Sequence, residues 1–101
     1  ENYTASELAE IYFKNIDAKE WETSCKKDEI INLINQNIKL FSGNGGDINN
    51  IIEKAIIINT RNNFGRENLY NISIKEFTEA FEIFIQNKKD KVNSLPFGMY
   101  N

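Results

Sequence analysis

Residues 41–52 read FSGNGGDINNII. Three of the chain's five glycines fall between positions 43 and 46, and an isoleucine-rich run begins directly behind them. Asp47 follows two glycines and suits the N-cap of a helix whose buried side is Ile48, Ile51, Ile52, Ala55 and Ile58 or Asn59. That helix is expected to end near Asn62. The glycines admit two readings. They make a tight turn between packed helices, or they leave a helix N-terminus bare so that an anionic group can approach its amides.

Three further helices surround this one. In YTASEL, Thr4 and Glu7 have capping-box spacing, and Tyr3 and Leu8 stand where a hydrophobic staple closes. The helix is expected to run to about Ile16 with Leu8, Ile11, Tyr12 and Asn15 on one side. A second helix spans about 27–39 and buries Ile30, Ile31, Ile34 and Ile38. In ISIKEF, Ser73 and Glu76 repeat the capping box, with Ile72 and Phe77 as staple. Phe77, Ala80, Phe81 and Phe84 follow at spacings of three and four, so the last helix carries an apolar stripe to about 88–91. Its lysines there suit the negative end of the dipole. NNFGREN reads as a loop.

Trp21 and Thr23 alternate with polar residues, as do Ile72 and Ile74, and residues 21–23 are expected to pair with 72–74 as a tiny two-stranded patch. The fold class is therefore all-α: a small four-helix bundle over residues 1–91, with that small patch and an apolar tail over 92–101. The tail, ending LPFGMYN, either frays or straps onto the bundle or a neighbour.

Composition narrows the chemistry. The chain has 101 residues, enough for one core. It carries no histidine and one cysteine, Cys25, so a disulfide framework, a His/Cys metal site and Ser-His or Cys-His catalysis are excluded within it. No catalytic or metal-ligating residue is assigned. Net charge is −3, and the only arginines are Arg61 and Arg66, which argues against nucleic-acid binding. No apolar run approaches the ~20 residues that span a bilayer, so no membrane partner is expected. The start at Glu1 rather than Met reads as a piece of a longer protein, and the single cysteine as a reduced intracellular, cytoplasmic thiol. No P-loop pattern occurs, and DINNIIE lacks the glycine and spacing of a calcium loop.

The order YTASELAEIYFKNI, Trp21, a helix, FSGNGGDINNIIEKAIIINTR and ISIKEFTEAF resembles the C-terminal helical lid domain of AAA+ ATPases. The opening is similar to lids of the CbxX/CfqX branch, and SGNGGDI to the sensor-2 region. In the branch pattern G-N-x-R, Asn44 matches and Gly46 stands where arginine would reach the nucleotide phosphates. In that respect the chain is closer to AAA lids that bring backbone and small residues against the adenine side.

The resemblance implies that Asn44, Gly45, Gly46 and Asp47 face a nucleotide held by a separate P-loop core. It implies ATP as cofactor of the parent protein and none for this chain alone. Its partners would be that core and neighbouring subunits of a homo-oligomeric ring used in ATP-driven, chaperone-like remodelling. By itself the chain is expected to be no enzyme. The alternative is a stand-alone helical adaptor that binds a partner peptide or helix.

Overall fold

The computed structural model describes residues 3–41 and 45–93. Four helices dominate: α1 over Ala5–Ala18, α2 over Lys27–Gln36, α3 over Gly46–Asn63 and α4 over Ile74–Asn93. A 3-10 turn at Ile38–Leu40 follows α2. Two short strands, β1 at Glu22–Thr23 and β2 at Asn71–Ile72, pair in parallel. The all-α bundle with its small patch is thus the architecture observed.

Both capping boxes form. Thr4 Oγ1 accepts from the Glu7 amide at 3.1 Å, and Glu7 Oε1 accepts from the Thr4 amide at 2.8 Å. Ser73 and Glu76 make the same exchange at 3.2 and 3.0 Å. These bonds satisfy amides that a helix start would otherwise leave open.

Four expectations need correction. First, β2 lies at Asn71–Ile72, and its register is Glu22↔Asn71 and Thr23↔Ile72. Ser73 cannot extend the strand because its amide and hydroxyl are engaged in the cap of α4. Trp21 is also outside the ladder, since its amide donates to Ile16 O at 3.1 Å and closes α1. Second, α1 buries Ala5, Leu8, Ala9, Tyr12 and Ile16, while Ile11 and Asn15 are only half-buried. The alanines allow close approach where α1 packs against both α2 and α3, so the buried face is turned toward them. Third, α2 stops at Gln36, and Ile31 and Ile38 are half-buried rather than core. Fourth, α4 continues to Asn93, and residues 94–101 of the tail lie outside the described residues.

The core is one continuous cluster. Tyr12 meets Phe77 edge-to-face at 5.1 Å, and Phe41 stacks beside Phe81 and Phe84 at 6.1 and 5.2 Å. Rings at these separations add specific contact to the area they bury.

One polar group sits inside this core. Asn59 occupies a buried position of the α3 stripe and is 0% exposed. Its Nδ2 lies 3.0 Å from both Asn68 O and Asn71 O, and 3.0 Å from Glu76 Oε1. Its Oδ1 accepts from the Tyr70 amide at 3.1 Å. Asn63 Nδ2 adds a 2.8 Å bond to Glu76 Oε2. One amide side chain therefore ties the loop of residues 64–70, β2 and the start of α4 to α3.

Replacing it with a shape-matched apolar residue strands several buried donors and acceptors, each of which costs about 1–3 kcal/mol. Asn59→Leu is expected to lower stability by about 2–4 kcal/mol in urea unfolding. Glu20, at the end of α1, has φ 62°, a left-handed backbone that disfavours a side chain. Glu20→Gly is expected to raise stability in urea unfolding by about 0.5 kcal/mol after the entropy that glycine adds to the unfolded chain.

Candidate functional site

The glycine segment meets α3 where α1 and α4 also converge. The cap of helix α3 lies two residues earlier than expected. Gly45 is the N-cap, its carbonyl accepting from the Asn49 amide at 3.2 Å, and Asp47 lies within the first turn. Asp47 is therefore not the cap; it carries its charge near the positive end of the helix dipole instead.

Of the four residues read as nucleotide-facing, Asn44 lies outside the described residues. Gly45 is half-buried, and Gly46 is exposed as the first residue of α3. Asp47 is 6% exposed. Its Oδ1 lies 3.4 Å from Lys88 Nζ of α4. The same ammonium sits 5.5 Å from the centre of the Phe84 ring. So the Asp47 side chain joins α3 to α4, while Gly46 beside it is exposed and Gly45 half-buried. Lys88, read from sequence only as a complement to the dipole, is the residue of α4 that faces Asp47. Its spacing to Asp47 gave no local signal.

Gly45 has an ordinary helical backbone, with φ −75° and ψ −6°. A Cβ added there would meet Ile11 Cγ2 and Cδ1 at 3.5 and 3.6 Å, which is normal contact. Among the described glycines only Gly65 holds a positive φ, 77°. Neither backbone conformation nor internal space demands glycine at position 45, although glycine near a helix start adds chain entropy to the unfolded state.

A second cluster lies where β1 and β2 meet α1. Thr23 Oγ1 donates to Ile72 O at 2.8 Å, so at its 2.9 Å contact with Tyr12 the phenol is the donor. The Cys25 amide also donates to Thr23 Oγ1, at 3.2 Å. The Cys25 thiol is buried and lies 3.8 Å from both Tyr12 Oη and Ile72 O. Burial pushes this thiol above its ordinary value of 9.0, against the opposing hydrogen bonds of Thr23 and Tyr12. Burial likewise drives the Tyr12 phenol upward, with the neighbouring Cys25 adding to it. A thiol held neutral and covered is a packing group rather than a nucleophile.

Among the described residues, no group of three or more His, Cys, Asp or Glu side chains is placed to hold a metal ion. No described helix is long and apolar enough to cross a membrane. Comparison with protein-family models, with curated proteins and with solved structures returned no match.

The raised thiol and phenol set a pH dependence. Both groups are neutral in folded and unfolded chains at low pH, so they leave stability level there. Once pH passes the unfolded thiol's value near 9.0, the unfolded chain ionises first and is favoured. Urea midpoints are expected to hold steady up to about pH 8 and to fall as pH rises from there toward the folded values. In Cys25→Ala the onset should move up to the phenol's ordinary 10.0.

Proposed function

We propose that this chain is the helical lid of an AAA+ ATPase, packing its α3 start against a nucleotide held by a separate P-loop core. The observation that carries the reading is a glycine pair at the start of α3, Gly45 half-buried and Gly46 exposed, that the fold does not itself require at position 45. Gly45 is not required by its dihedral angles or by its neighbours, and it stands at a helix N-terminus, where amides and dipole favour an anionic group. The order of the four helices and their caps also supports the reading.

In this role the chain supplies no catalytic group. Phosphoryl transfer needs a P-loop lysine and metal-binding carboxylates, and these belong to the core. The lid's contribution is positional: backbone near the nucleotide, and a rigid body that rotates when the nucleotide changes. Asp47–Lys88 joins the nucleotide-side end of α3 to α4, so displacement there would move both helices together. The parent would be an intracellular, ring-forming ATPase engaged in protein remodelling, with its own core and adjacent subunits as partners.

The adaptor alternative is favoured by one observation: Phe64 and Tyr70 are 81% and 57% exposed. The two readings part on whether the chain is joined, on its N-terminal side, to a P-loop core.

In a full-length protein containing that core, Gly46→Ile is expected to reduce kcat/KM for ATP by about tenfold or more. The helical circular-dichroism melt of the domain should remain cooperative. Unchanged turnover would overturn the site, and tight binding of ATP by the isolated chain would overturn the assignment of most contacts to the core.

A further inference from the structure

The C-terminal end of α1 builds a second surface feature that the nucleotide reading does not use. Three backbone bonds close this helix: Lys19 N to Asn15 O, Glu20 N to Asp17 O and Trp21 N to Ile16 O, at 3.1, 2.9 and 3.1 Å. With Glu20 in a left-handed conformation, the chain folds back and sets Trp21 beside the last turns of α1.

The result is an open pocket of about 370 Å³ with Phe13, Ile16 and Trp21 among its lining and Asp17 and Glu22 as its ionisable groups. Both aromatic rings are braced. Tyr70 holds Trp21 edge-to-face at 5.2 Å and 81°, and Tyr12 holds Phe13 at 5.1 Å and 81°. Asp17 and Glu22 are exposed, and among the described residues neither enters an ion pair. Lys14 lines the adjoining groove along α1, not this pocket.

We propose that this pocket seats an arginine side chain from a basic segment of a partner protein. The chemistry is complementary on both counts. A planar guanidinium stacks on an aromatic face, and its forked N–H groups are donors to carboxylates. Two carboxylates with no base among the lining give the pocket a negative sign, and among the described residues no third Asp, Glu, His or Cys joins them to hold a metal ion. The pocket is large enough to admit one long side chain, which would serve as the partner's anchor. The inference is independent of the proposed lid function, because it uses neither the glycines nor a nucleotide.

Trp21 is the chain's only tryptophan, so its indole N–H gives one resonance in a nitrogen–proton correlation spectrum. The probe is an acetylated, amidated hexapeptide, Gly-Leu-Arg-Leu-Arg-Gly, compared with the same peptide carrying neutral citrulline for arginine. The arginine peptide is expected to shift the indole resonance saturably and to bind about tenfold or more tighter than the citrulline peptide. Binding should weaken as sodium chloride rises from about 0.05 M to about 0.5 M.

The double variant Asp17→Asn/Glu22→Gln should lose at least about tenfold in affinity. The charge-matched control Glu53→Gln/Glu79→Gln, on α3 and α4, should retain it. Both pairs are exposed, and the same spectrum reports whether each variant is folded. No saturable shift up to millimolar peptide, equal binding of the citrulline peptide, or equal loss in the control would each overturn the proposal.

Discussion

The Asn59 carboxamide is the constraint on which the second half of the fold depends. An amide nitrogen has two hydrogens, and here three elements present acceptors to it: the 64–70 loop, β2 and the first turn of α4. Its oxygen takes the Tyr70 amide. Tyr70 holds φ 76°, a conformation that costs energy for a residue with a side chain and persists when its surroundings over-determine it. Asn59 is part of that over-determination. Through it a loop with few apolar contacts of its own is held in place, β2 is delivered to β1, and Tyr70 is set against Trp21.

The α3–α4 pair is fixed at both ends by polar ties across an aromatic interior. Asn59 and Asn63 hold Glu76 at one end, and Asp47 faces Lys88 at the other. Between them Phe77, Phe81 and Phe84 fill the space. Among the described residues no buried side-chain nitrogen or oxygen lacks a partner, which is the condition under which polar groups in a core confer order rather than instability. The start of α3, where Gly46 is exposed, therefore sits on a stiff support.

Much of this was legible from local pattern. Thr4, Glu7, Ser73 and Glu76 marked two helix starts because a capping box is a contact between residues three apart. The isoleucine and phenylalanine stripes placed α3 and α4 because burial follows the helical period. Asn59 was read as an alternative to Ile58 on the buried face, and both are buried; its partners lie 9 to 17 residues away, and spacing says nothing of them. The strand register was displaced because Ser73 was assigned both to a strand and to a cap, and only one can use its amide. Asp47 was read as a cap because aspartate after glycine has that preference. Its ion pair with Lys88 spans 41 positions and depended on packing. The Trp21 pocket had no signature at all: it needs Glu20 to reverse the chain and Tyr70 to arrive from the far side of the sequence.

The parallel pairing of β1 with β2 bears on how the chain reaches this state. Thr23 and Ile72 are 49 positions apart, and each strand is two residues long. Closing so long a loop for so few bonds is unfavourable until helices have already brought the ends together. α1 with α2, and α3 with α4, are neighbours in sequence and can associate early. The clasp at Thr23 then latches two preformed hairpins, so both must be assembled before the Thr23 hydroxyl finds its acceptor at Ile72 O.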